Sequence, residues 1–228
     1  MIEVESYLQK LIQLLKNQFG TSLLYVGLQG SYLRGEATEN SDLDIMVILD
    51  TLHVSDLKLY WEIIRSMNDS DKSCGFICSK SDLANWNPFE IWSLINGTKD
   101  YYGKLIDFVP SYSKTDICNF VKISLNNLYH EICHRYIHAE CNTDINALAG
   151  AYKSVFFILQ NLYYLKYGKS IKTKAEMLAV TDGKDHMVMQ RAIALQQDKS
   201  YDFTESFELL HTWCHETLLS LRDISENL

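Results

Sequence analysis

The chain has 228 residues, 47% of them apolar and 22% charged, with a formal net charge of −8. That apolar share supplies a real core and excludes a globally disordered chain. Two prolines and ten glycines exclude a collagen-like or linker-dominated architecture. The acidic balance argues against a long basic surface for gripping a nucleic-acid backbone, and it suits small-molecule or cationic partners.

Taken in order, the first residues carry Glu3 and Glu5 and no basic segment leading into an apolar run, so no signal peptide is expected. Val4–Phe19 has apolar residues at Leu8, Leu11, Ile12, Leu14 and Leu15, an amphipathic helix stopped by Gly20. Ser22–Leu28 reads as a buried strand entering a glycine turn at Gly30. Asp42–Leu49 reads as a second buried strand, rich in Ile, Val and Leu. Ser55–Met67 returns to helical period, Cys74–Cys78 is a third short strand, and Ser81–Asn96 is a helix interrupted near Pro88.

Beyond Pro110-Ser111 the pattern is helix after helix: Thr115–Ala139, Asp144–Tyr167 closed by Gly168, Lys174–Val180, Asp185–Gln197 and Phe203–Ile224. This predicts a bundle of four or five helices. Two domains are therefore expected, residues 1–110 and 111–228, of α+β class: a small α/β domain followed by an all-α domain. No apolar run approaches the ~18 residues that span a bilayer. The six cysteines show no paired CxxC spacing, which points to free thiols in a reducing cytoplasm.

The segment richest in chemistry is Gly30-Ser31-Tyr32-Leu33-Arg34-Gly35 followed by Ser41-Asp42-Leu43-Asp44. Gly30, lacking a Cβ, lets backbone approach a phosphate closely, and N–H groups after such a turn form an anion-binding nest. Ser31 adds a hydroxyl donor. Asp42 and Asp44, two apart on a strand, leave the same face, where two carboxylates repel unless a cation sits between them. Such oxygen ligands suit Mg²⁺. Singly, these features read as a turn, a strand end and a surface arginine. In this order, between two strands, they point to a triphosphate and metal site.

Gly30-Ser31, Arg34-Gly35 and Ser41-Asp42-x-Asp44 resemble the signature of the polymerase-β-like nucleotidyltransferases. The layout is most similar to the bacterial aminoglycoside adenylyltransferases and the minimal nucleotidyltransferases. The resemblance implies an N-terminal nucleotidyltransferase domain with a short mixed sheet and a helical domain that contacts acceptor and nucleotide. It implies that Ser31 and Gly30 bind the triphosphate of ATP or another NTP, that Asp42 and Asp44 hold Mg²⁺, that Ser41 touches the nucleotide, and that Arg34 is structural or phosphate-adjacent.

The family pattern carries a third carboxylate on the next strand, and Cys74–Cys78 has no acid. In streptomycin-type members the base is a Glu on the following helix, and Glu90 stands in a similar place. Gly168-Lys169-Ser170-Ile171-Lys172-Thr173-Lys174 looks like the glycine-lysine turn that reaches the triphosphate, which selects Lys174, then Lys172. Lysines after a helix C-terminus also compensate its dipole.

His130, His134 and His138 repeat every four residues and share one helix face, as do His211 and His215. The letters His130-Glu131-x-x-His134 satisfy the HExxH pattern of zinc hydrolases, against the commoner reading of a polar helix face.

The leading expectation is a Mg-dependent enzyme that moves a nucleoside monophosphate, AMP from ATP, to a hydroxyl of a small, aminoglycoside-like acceptor. Nucleic-acid and membrane partners are not expected. The alternative is an antitoxin-like or degenerate nucleotide-binding module acting on a protein partner.

Overall fold

The computed structural model describes residues 2–139, 143–197 and 200–226, with side chains to Arg222. The chain divides into two compact units, Met1–Ser111 and Tyr112–Leu228. The expectation for Cys141 lies outside the described residues; Cys74, Cys78, Cys118, Cys133 and Cys214 are free. Among the described residues no helix is long and apolar enough to cross a membrane.

The first unit runs α1 (Val4–Phe19), β1 (Leu23–Leu28), α2 (Gly30–Arg34), β2 (Leu43–Leu49), α3 (Val54–Ser66), β3 (Ser73–Ser79), α4 (Lys80–Ala84), α5 (Pro88–Asn96) and β4 (Lys99–Tyr102). The sheet order is β3-β2-β1-β4, with β2 parallel to β3 and β1 antiparallel to both β2 and β4. It is the small mixed sheet of an α+β fold. β4 is a strand that hydrophobic patterning did not foresee, because Lys99-Asp100-Tyr101-Tyr102 is polar. It forms by pairing with β1 at the sheet edge.

Alternation along β2 assigns its two faces. Leu43, Ile45, Val47 and Leu49 are fully buried against α1, whose Leu8, Leu11 and Leu15 are also fully buried. Each such side chain contributes about 1.5–3 kcal/mol of hydrophobic stabilisation. Met46 and Ile48 point the other way and pack with Cys78 and Leu83, and with Leu94 and Ile95 of α5. Asp44 shares their period, so it lies on the α5 face of the sheet.

The second unit consists, among the described residues, of α6 (Lys114–His138), α7 (Ile145–Ala151), α8 (Lys153–Tyr167), α9 (Lys174–Val180), α10 (Gly183–Gln197) and α11 (Phe203–Glu226). The expected single helix over Asp144–Tyr167 is two helices, which raises the bundle to six. The chain tightens at Tyr152, where the Val155 N–H donates to the Tyr152 carbonyl at 3.2 Å, three residues back. The Tyr152 ring is fully buried and its hydroxyl donates to the Ser206 carbonyl at 2.7 Å, so tertiary packing sets the break. Trp213, 1% exposed, ties α11 to α10 by donating from Nε1 to Asp185 Oδ1 at 2.7 Å.

Candidate active site

β2 lies inside the sheet, between β1 and β3, and Asp44 is its second residue. Where β1 ends, the Gln29 N–H donates to the Asp44 carbonyl at 2.9 Å, and Gly30 follows with φ +70°. A Cβ on Gly30 would stand 1.8 Å from Asp44 Oδ2. The glycine thus seats the Gly30–Arg34 segment directly on the carboxylate. That segment, read from the sequence as a turn and polar excursion, is one short helical stretch closed by Gly35 in the left-handed conformation.

Asp42 and Asp44 do not both belong to the strand. β2 begins at Leu43, and Asp42 stands in the exposed approach to it while Asp44 is half-buried. Ser41 explains the late start. Its hydroxyl accepts from the Thr38 N–H at 2.8 Å and its N–H donates to the Thr38 carbonyl at 3.0 Å, folding a turn just before the strand. Lys72 Nζ pins that loop through the Glu39 carbonyl at 2.8 Å.

The electrostatics centre on Asp44. Burial pushes its carboxyl above the usual carboxylate range, a hydrogen bond from the Cys74 thiol opposes this, the Asp42 charge raises it again and Arg34 lowers it. Arg34 Nε donates to Glu36 Oε2 at 2.9 Å with both side chains largely buried. A carboxylate whose charge is disfavoured first by burial and then by a second carboxylate is a place where a cation is favoured.

Cys74 pairs in register with Asp44, and Phe76 with Met46, so β3 brings no acid to this face. Among the described residues no three His, Cys, Asp or Glu side chains gather as a metal cluster. Glu90 sits in the first turn of α5, whose start is set by Pro88 and by Asn87 as N-cap. Trp86 Nε1 donates to Glu90 Oε2, and the Trp86 ring stacks on Phe76 with centroids 6.0 Å apart. This chain of contacts ties Glu90 to the strand beside Asp44. Sequence reasoning missed both aromatics; a Trp four residues before an acid at a proline-started helix was the available signal. At the other end of α5, Thr98 Oγ1 accepts from Gln29 Nε2 at 2.8 Å, anchoring the helix to the end of β1.

Lys174 belongs to the second unit, as the first residue of α9. Thr173 and Glu176 form its capping box, and Glu176 Oε2 also accepts from the Lys172 N–H at 2.8 Å. Burial pushes the Lys172 ammonium below its ordinary range, and Glu176 partly offsets this. The expected histidine face exists: His130, His134 and His138 are exposed on α6, and Glu131 accepts from Arg135 Nε at 3.1 Å.

Known proteins resemble this arrangement at several levels. The spectinomycin adenyltransferase AAD(9) from Enterococcus faecialis, solved with ATP and spectinomycin, superposes with a TM-score of 0.59 over 92% of this chain and 99% of that one. At 13% identity, that likeness speaks to the fold. A toxin–antitoxin structure with AMP-PNP aligns at a TM-score of 0.32 and 24% identity, over 54% of this chain and 88% of that one, a score that carries no argument. A Methanocaldococcus jannaschii protein, named as an inferred protein adenylyltransferase, is 39% identical over 62 residues, 27% of this chain. The chain spans 60% of that relative's length. The family model for the nucleotidyltransferase domain matches residues 8–126, which is more than half of the chain and takes in the sheet, Gly30, both aspartates and Glu90. By that match the chain belongs to the nucleotidyltransferase domain family.

Proposed function

We propose that this protein transfers a nucleoside monophosphate, AMP from ATP, to a hydroxyl group of a small acceptor, releasing pyrophosphate. The observation that carries the reading is Gly30 seated on Asp44, a glycine-led helical turn in contact with a carboxylate whose charge burial disfavours. Asp42 and Asp44 offer hard oxygen donors, the set that suits Mg²⁺ shared with substrate phosphates. When bound, the ion supplies charge neutralisation on the triphosphate.

The chain's own groups do the rest. Gly30 and Ser31 hold phosphate oxygens, with Arg34 adjacent and Ser41 shaping the loop beside the nucleotide. Glu90, oriented by Trp86, accepts the proton of the acceptor hydroxyl as its oxygen attacks the α-phosphorus and the bond to pyrophosphate breaks. The net charge of −8 suits a cationic acceptor of the aminoglycoside class. A second reading, in which the acceptor hydroxyl belongs to a protein, is favoured by the name of the M. jannaschii relative.

The test begins with melting curves with and without each nucleoside triphosphate plus Mg²⁺. A ligand bound only to the folded state adds about 2.7 kcal/mol at a hundredfold excess over Kd. Wild type is expected to gain this with MgATP, and Asp44→Asn to lose the gain. Without ligand the order reverses. The Asp44 carboxyl is raised on folding, so its charge opposes the folded state as pH climbs through and above the carboxylate range. Asp44→Asn is therefore expected to melt higher than wild type at neutral pH, with the gap closing in acid. No response to any nucleotide would sink the proposal.

Label from α-labelled ATP should then appear on an aminoglycoside or spectinomycin rather than on protein; label on protein favours the second reading. Glu90→Gln is expected to keep the MgATP response while transfer falls by about 10²-fold or more, the scale of a lost general base. Unchanged transfer would remove Glu90 from the role.

A further inference from the structure

We propose that His134 and His138 chelate a divalent transition-metal ion on the surface of α6, with His130 offering a second pairing to the shared His134. The apolar residues of α6, among them Val121, Leu125, Leu128 and Ile132, are buried and leave the histidines on an exposed part of its surface. The rings of His134 and His138 meet edge to face with centroids 4.9 Å apart, and those of His130 and His134 are tilted at 5.7 Å.

Coordination chemistry sets the spacing that matters. A zinc–imidazole bond is about 2.0–2.1 Å, and the ring centre lies roughly 1.1 Å beyond the nitrogen, so two imidazoles on one tetrahedral ion have centres about 5 Å apart. The His134–His138 pair already stands at that separation. The 5.7 Å pair needs a small side-chain rotation. Arg135, on the same helix, is engaged by Glu131.

Among the described residues no third His, Cys, Asp or Glu completes a cluster. Imidazole donors select zinc, copper or nickel over Mg²⁺ and Ca²⁺. This site uses none of the residues assigned to nucleotide transfer. It also differs from the HExxH reading, which pairs His130 with His134 and asks Glu131 to act on water.

The experiment uses untagged full-length protein and metal alone. Calorimetry with Zn²⁺ in excess Mg²⁺ measures affinity, and electron paramagnetic resonance with Cu²⁺ reads nitrogen coupling from imidazole. Wild type should bind with two-nitrogen coupling. His134→Ala, which breaks both pairs, should weaken binding at least about tenfold and lose the second nitrogen. His138→Ala should weaken it less, through the remaining pair, and His130→Ala should change it least. All three positions are exposed, and circular dichroism checks that each variant folds. Asp44→Asn should leave the copper spectrum unchanged. Absence of binding by wild type, or His134→Ala indistinguishable from it, overturns the proposal.

Discussion

Replacing Gly75 with alanine is expected to cost the first unit about 3–5 kcal/mol, the upper range of single substitutions, which strain at a special backbone conformation reaches. At roughly 2–4 °C per kcal/mol for a chain of this size, the transition of that unit should fall by about 6–20 °C. Gly75 lies inside β3 with φ +117°, a conformation closed to residues with a side chain. A Cβ there would stand 2.0 Å from the Ile45 carbonyl oxygen and 2.6 Å from the Ile45 nitrogen. Both are backbone atoms of β2, and Gly75 pairs with Ile45 in the parallel ladder. Neither can yield without parting the two strands, and Ile45 is the neighbour of Asp44. Loss of stability and of nucleotide response should therefore come together. Differential scanning calorimetry of the variant checks this, and a transition within 2 °C, under 1 kcal/mol, would contradict it.

Gly30→Ala should behave in the opposite proportion. Its Cβ would meet the Asp44 carboxylate, the free end of a side chain, so rotation of Asp44 relieves the clash. What remains is the cost of φ +70° for an L residue, about 1–2 kcal/mol. Function has no such escape, because the rotated carboxylate is the proposed metal ligand. The MgATP-dependent gain in melting temperature should vanish while the unliganded protein loses only a few degrees. Titration of melting temperature against MgATP separates the two effects. A variant that keeps the full nucleotide gain would show that the glycine serves the fold alone.

The two glycines are equally plain letters in the sequence, and only Gly30 announced a role there. Its signal was its neighbours: a serine, then two aspartates at the mouth of a strand. Gly75 sits among Ser73, Cys74, Phe76 and Ile77, where nothing marks it as a point of close backbone approach. The pairing of β2 with β3 creates that constraint, and pairing is a property of residues thirty positions apart.

The same division holds for the carboxylates. Spacing placed Asp42 and Asp44 together but made them equivalent, two residues of one strand. The Thr38–Ser41 turn delays the strand to Leu43, so one is exposed and the other half-buried. Burial then raises the Asp44 carboxyl.

By itself the sequence determined the helices with strong period, such as Val4–Phe19, the three apolar strands, the helical character of the second half and the membership motif around Gly30 and Asp44. These rest on local hydrophobic pattern and turn chemistry, which short segments carry. Tertiary structure decided the rest. It decided β4, a polar segment made a strand by its partner β1, and the break at Tyr152, set by a buried ring and its hydrogen bond to Ser206. It decided the contact of Trp86 with Glu90, where Phe76 of β3 stacks on the indole. Each is a contact between segments, and its energy appears only when both are in place.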